Sequence, residues 1–199
     1  PKQPDCPYPF KELCGCGIGF KLITALQSTL HPDSTEHLRY LEWVATAIAA
    51  DIVPINGENR ILAFHGLQKL NQTPSVAIRA MLDVANHHTD VTISNVVFII
   101  APRINAAGRM DDAKKVVELL LESDLEKAKE MATSLQADNT DRREIEAAQT
   151  KHAYELILED AEFTTRKTTV LYSPNWLKGV VGIMASRLQE QYYLSLIHI

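Results

Sequence analysis

Apolar residues along the first half of the chain recur mostly at helical spacing, broken by short polar or Pro-containing stretches. Residues 1–13 hold four prolines in the first nine positions and are expected to be extended. Gly15-Cys16-Gly17-Ile18-Gly19 then opens an apolar helical stretch over 20–30, where the small residues suit tight helix packing. Pro32-Asp33-Ser34-Thr35 reads as a loop and N-cap before a helix over 36–50. That helix ends in the small-residue run Ala45-Thr46-Ala47-Ile48-Ala49-Ala50, directly followed by Asp51. Pro54 and Asn56-Gly57 break the chain, and further helices are expected over 58–70 and about 75–85.

Residues 91–100 are β-branched and apolar, Val96-Val97-Phe98-Ile99-Ile100 above all, and read as a buried strand. Ala101-Pro102-Arg103-Ile104-Asn105-Ala106-Ala107-Gly108-Arg109 follows as a loop containing Pro and Gly. A short helix over 112–122 carries the stripe Val116, Val117, Leu120 and Leu121. A long helix is expected from 123 to about 163, with Leu125, Ala128, Ala132 and Leu135 at i, i+3/4 spacing, resuming at Ile145, Ala148 and Leu156. Its middle, 138–146, is polar, as in a helix bridging two domains or a solvated bundle helix. Thr168-Thr169-Val170-Leu171-Tyr172 reads as a strand, and Ser173-Pro174-Asn175-Trp176 as a turn into a helix over 178–188. The last residues, 194–199, stop mid-element and read as a truncated or foreign tail.

At 46% hydrophobic and 23% charged residues, the 199-residue chain has globular composition. No run approaches the about 18 apolar residues of a membrane span. The start lacks the basic-then-apolar layout of a signal peptide and an initiator Met, so the chain is expected to begin inside a longer protein. The net charge of −5 is uneven, because residues 121–162 carry 12 acidic and 5 basic side chains while the remainder carries 13 and 15. Overall acidity therefore does not exclude a polyanionic partner. Cys6, Cys14 and Cys16 lack zinc-site or disulfide spacing and are expected to be buried free thiols in a reducing cytoplasm.

Few residues carry candidate chemistry. Asp51, on a rigid helix end, is a divalent-metal ligand or simply a helix-end carboxylate. One aspartate makes no two-metal site. His87 and His88 lack the H-E-x-x-H pattern and read as part of a polar surface loop. Arg103, Asn105 and Arg109 suit phosphate contacts, or alternatively tie their loop to groups such as Asp111 and Asp112. Lys178 and Gly179 at a helix start form a possible phosphate cradle, with Ser186 and Arg187 two turns further on.

Three strings carry a family resemblance: Pro102-Arg103-Ile104-Asn105-Ala106-Ala107-Gly108-Arg109, Ala49-Ala50-Asp51-Ile52-Val53-Pro54, and Gly179-Val180-Val181-Gly182-Ile183-Met184-Ala185-Ser186-Arg187-Leu188. In order and spacing they resemble the RecJ exonucleases of the DHH phosphoesterase superfamily, over essentially residues 1–193. The resemblance implies an α/β fold: the C-terminal part of a DHH catalytic domain (1–122), a long connecting helix (123–163) and the start of a DHH-associated α/β domain (164–193). It implies 5′→3′ hydrolysis of single-stranded DNA in repair and recombination, with Mn²⁺ or Mg²⁺ in a two-metal site and a single-strand-binding protein and a helicase as partners. Asp51 would be a metal ligand. Arg103, Asn105, Arg109, Lys178, Gly179, Ser186 and Arg187 would face the DNA.

Two departures stand out. The family's D-x-D and D-H-H motifs, which precede the position of Asp51, do not occur in this chain, and His87-His88 follows Asp51. Where the family usually has W-H-x-G, this chain has Trp176-Leu177-Lys178-Gly179. The chain alone is therefore expected to be inactive. A non-catalytic DNA-binding scaffold of the same superfamily, or a relative cleaving oligoribonucleotides or cyclic dinucleotides, is the alternative.

Overall fold

A computed structural model of the chain describes residues 1–110, 113–160 and 168–192. The chain divides into two compact units, Pro1–Arg103 with Glu118–Thr133, and Ile104–Val117 with Ser134–Ile199. None of the helices among the described residues is long and apolar enough to cross a membrane.

The first unit is helical. Its opening residues are irregular, as the prolines require, up to α1 (Gly15–Leu30), where the Cys14 sulfur accepts the Gly17 N–H at 3.4 Å. The small-residue cluster there does not pack as expected. Only Gly17 is tight, against Leu13, while Gly15 and Gly19 have open space. A 3-10 turn (Glu36–Tyr40) leads into α2 (Leu41–Ala50), which runs through the core with Val44, Ala45 and Ile48 fully buried. Burial of Val44 and of Ile48 contributes about 1.5–3 kcal/mol each, and that of the smaller Ala45 less. Next, α3 (Gly57–Gln72) crosses α2 closely, because a Cβ on Gly66 would overlap the Leu41 carbonyl and come 2.5 Å from the Ala45 Cβ. Leu13, Phe20, Leu62 and Ala63 close this core.

Two buried polar side chains bind the irregular segments to it. Asn59 donates to the Glu12 carbonyl at 2.7 Å and the Pro54 carbonyl at 3.0 Å. Glu42 accepts the Ser75 N–H at 3.0 Å, at the start of α4 (Val76–Val84).

The segment read as a strand, 91–100, is helical. A capping box launches it: Thr92 Oγ1 accepts the Asn95 N–H at 3.3 Å and Asn95 Oδ1 accepts the Thr92 N–H at 2.8 Å. After one turn, α5 (Ile93–Asn95), the chain widens into a π-helix (Val96–Ile100) and continues as α6 (Ala101–Met110). Val96 and Ile100 are fully buried while Phe98 is 77% exposed, a helical rather than an alternating pattern. Proline explains the π-turn. Pro102 lacks an N–H and its ring would crowd the carbonyl four residues back, and a wider turn relieves that. The expected loop 101–109 is therefore helix. β-propensity misled here because packing outweighed it.

The second expected strand, 168–172, is an isolated bridge residue at Thr169 followed by irregular chain. Among the described residues there is no strand, so the α/β class is not seen in them. The short helix expected over 112–122 is α7 (Lys114–Leu121), with Asp111 and Asp112 outside the described residues.

The long helix is observed as α8 (Leu125–Glu159), and its expected end, 160–163, lies largely outside the described residues. Its polar middle is solvated on one side, where Thr140, Asp141, Arg143 and Glu144 are exposed, and buried on the other, at Asn139 and Glu146. In the second unit Ala153 and Ile157 of α8 pack on Met184 and Leu188 of α9 (Lys178–Tyr192), with Trp176 at the edge. Trp176 Nε1 donates to His152 Nδ1 at 3.2 Å. The expected tail, 194–199, also falls outside the described residues.

Candidate functional site

Asp51 caps the C-terminus of α2, its N–H bonded to the Ala47 carbonyl at 2.9 Å, and is exposed. The next residue, Ile52, has φ +52° and is 84% exposed. A β-branched residue in the left-handed region is strained, so the chain leaving Asp51 is held against its preference. Asp51 also lies near Cys16. Burial of the sulfur pushes the Cys16 thiol up to about 11, and the charges of Cys14 and Asp51 push the same way, although the residue itself is exposed. The expectation of buried thiols thus holds for Cys14, while Cys6 is half-buried. No cluster of three or more His, Cys, Asp or Glu residues able to hold a metal occurs among the described residues. One carboxylate does not amount to a divalent-metal site, and His87 and His88, in an irregular segment, complete no such cluster.

Arg103, Asn105 and Arg109 all sit on α6 rather than on a loop, and helical rotation sets their directions. Asn105 and Arg109 are four residues apart on one face, whereas Arg103 points to the other side. Arg103 is 9% exposed, gives an N–H to the Ile99 carbonyl in the π-turn, and keeps its Nε buried without a partner. Burial pulls its pKa down. This arginine ties the helix together, which is the structural alternative for that residue.

Gly179 is the second residue of α9, and its Cα lies against the Arg109 backbone. A Cβ there would stand 2.5 Å from the Arg109 carbonyl oxygen. The structure thus joins two of the sequence-selected segments through their backbones. A carbonyl from the last turn of α6 meets the positive end of α9, a favourable alignment. Lys178 is exposed at that helix start. Ser186 and Arg187 lie about 12 Å further along the axis and do not share its end. Ser186 donates its hydroxyl proton to the Gly182 carbonyl at 3.2 Å. Arg187 donates from Nε to Glu146 Oε1 at 3.2 Å.

That last contact leads to residues the sequence reading passed over. Arg142 on α8 donates Nη1 to Glu146 Oε2 at 2.5 Å and Nη2 to Asn139 Oδ1 at 3.0 Å. Glu146 therefore lies between Arg142 and Arg187. Arg142 has its pKa pulled down, first by burial, with Glu146 opposing and Arg109, Arg143 and Arg187 adding repulsion. The signal was present as Arg142-Arg143 with Glu146 and Thr150 at three- and four-residue spacing, and Lys151 next to Thr150. The acidity of the surrounding segment concealed it.

Relatives of known name cover nearly all of this chain. It is 38% identical over 209 aligned positions to the single-stranded-DNA-specific exonuclease RecJ of Dickeya dadantii, covering 97% of this chain and 36% of that protein. It is 35% identical to the protein of the same name from Bacillus subtilis, covering 97% of this chain and 24% of that one. The fold superposes on RecJ from Thermus thermophilus in complex with Mn²⁺ with a TM-score of 0.83 at 32% identity, over 98% of this chain and 28% of the other. Over nearly its whole length this chain is similar to part of the RecJ proteins. The same Thermus thermophilus RecJ in complex with Mg²⁺ matches with a TM-score of 0.82. No protein-family profile matches the chain. The chain spans about a quarter to a third of the length of the RecJ proteins it matches in sequence.

Proposed function

We propose that these residues serve a 5′→3′ exonuclease that hydrolyses single-stranded DNA in repair and recombination. The observation that carries this reading is identity of 35–38% over 97% of the chain to proteins named single-stranded-DNA-specific exonucleases. The fold match to Mn²⁺- and Mg²⁺-bound RecJ structures supports it. In this reading residues 1–122 belong to the DHH domain, 123–163 connect, and 164–193 begin the associated domain. The sheet that would make the protein α/β then lies outside the described residues.

Asp51 is one carboxylate ligand for Mn²⁺ or Mg²⁺, presented from the end of a buried helix, and the other ligands come from elsewhere in the protein. Asn105 and Arg109 share a helix face and offer donors to a phosphate backbone. Arg187 offers the N–H groups that Glu146 leaves uncommitted. Gly179 lets α9 approach α6. Arg103 acts through the helix it braces. A cytoplasmic location, and a single-strand-binding protein and a helicase as partners, belong to the same reading.

The test is Asp51→Ala in the full-length protein. Nucleotide release from single-stranded DNA is expected to vanish while most DNA binding stays. Equal loss of both would make Asp51 structural, and unchanged hydrolysis would remove it from the site. The 199-residue chain alone, given Mn²⁺, is expected to release no nucleotides.

A further inference from the structure

The second unit contains a cavity of about 460 Å³ lined by one face of α8 and by Arg187 of α9. Four of its lining side chains are cationic, Arg142, Arg143, Lys151 and Arg187, against the single carboxylate of Glu146. Glu155 reaches Lys151 at 3.8 Å, but both side chains are exposed there, so water screens the pair. Glu146 is fully engaged, one oxygen to Arg142 and the other to Arg187. Its charge is thereby shared between two arginines, and the cavity retains an excess of positive charge.

Two further polar atoms at this wall are buried without a partner, Arg142 Nε and Thr150 Oγ1. A buried donor left unbonded costs about 1–3 kcal/mol, so such atoms mark a place where a ligand's acceptors would be welcome. The acidic segment identified in the sequence therefore holds a local basic pocket. Helical periodicity gathers residues 142, 143, 147, 150, 151 and 154 on one face, while most of the acids point elsewhere.

We propose that this cavity is a phosphate site for the backbone of single-stranded DNA, with Arg143 and Lys151 as its outer contacts and Arg142, Arg187 and Thr150 as its inner wall. The identity of the ligand rests on the exonuclease reading above. The phosphate chemistry rests on the cavity. Planar guanidinium groups match phosphate oxygens two at a time, and Glu146 holds Arg142 and Arg187 in fixed orientations for that purpose.

The test measures binding of a fluorescein-labelled dT12 to the chain by anisotropy between 50 and 200 mM NaCl. The wild type is compared with Arg143→Gln/Lys151→Gln, which changes two exposed helix positions to another good helix former. Lys127→Gln, on α8 outside the cavity, is the charge control. Helical circular dichroism is expected to be the same in all three. Loss of two phosphate contacts is expected to reduce the slope of log K against log salt by about 1.4, with the control unchanged. Binding by the wild type with an unaltered slope in the double variant would overturn the cavity assignment and leave the exonuclease reading standing. No binding of dT12 by the wild type, with inorganic pyrophosphate still raising its melting temperature, would assign the pocket to a free phosphoryl ligand and overturn the DNA assignment. No response to either probe would overturn the site altogether.

Discussion

The Arg109 carbonyl oxygen occupies the space that a side chain at position 179 would need, 2.5 Å from where a Cβ on Gly179 would stand. The obstacle is backbone, which cannot swing aside as a long side chain would. Gly179→Ala is therefore expected to destabilise the protein by about 1–3 kcal/mol through forced separation of α6 and α9. Gly182→Ala, one turn on, meets nothing within 4 Å and is expected to stabilise by up to about 1 kcal/mol. Urea denaturation of the two variants should move in opposite directions. Equal effects would mean that the α6–α9 contact is loose.

Glu146 is expected to be the most sensitive polar position of α8. Its side chain is 10% exposed and that of Arg142 13%, so removing the carboxylate strands a buried cation. Glu146→Ala should cost about 3–5 kcal/mol, whereas Glu146→Gln keeps an acceptor and should cost less. Equal losses would show that the negative charge matters and that the acceptor kept by Gln does not.

Ile52 carries the opposite expectation. It is exposed, so little burial is lost on replacement, while its left-handed backbone is unfavourable by about 1–2 kcal/mol. Ile52→Asn should raise the urea midpoint, by about 1 kcal/mol in stability. A lower midpoint would mean that Ile52 makes contacts worth more than the strain.

The thiols should differ in reactivity. The Tyr8 backbone N–H chiefly holds the Cys6 thiol below its ordinary value, while burial pushes Cys16 up to about 11. Iodoacetamide at pH 8, read by mass spectrometry, should label Cys6 well before Cys16, although Cys16 is the more exposed residue. The reverse order would contradict the surroundings assigned to both.

Burial pushes the Glu42 carboxyl above the usual range, and the Ser75 N–H opposes that only in part. The folded state thus binds this proton more tightly than the unfolded chain does. Stability from this group should rise as pH falls through the folded value toward the ordinary carboxylate range, then level off. Glu42→Gln should remove this dependence and be at least as stable at pH 7. Glu42→Ala should cost about 1–3 kcal/mol by leaving the Ser75 N–H unbonded. Identical pH profiles for wild type and Glu42→Gln would refute the assignment.

The sequence by itself determined the helices that rest on amphipathic spacing and caps. The Pro32–Thr35 stretch before the helical turn at Glu36, Ser75, whose hydroxyl accepts the Ile78 N–H at the start of α4, and the Ser173–Trp176 turn before α9 are local signals, and each lies within a few residues of the element it starts. It also carried the family, because the strings around Asp51, Arg103–Arg109 and Gly179–Leu188 need no fold to be compared. Only the tertiary structure decided the state of residues 91–109. A β-branched run and a Pro/Gly segment each have two local solutions, and burial of Val96 and Ile100 chose the helix. It likewise decided which candidates meet. Arg109 and Gly179 are 70 positions apart and touch through their backbones, and Arg187 finds Glu146 across 41 positions. Such pairings depend on how helices cross, and the spacing of residues along the chain carries no record of that.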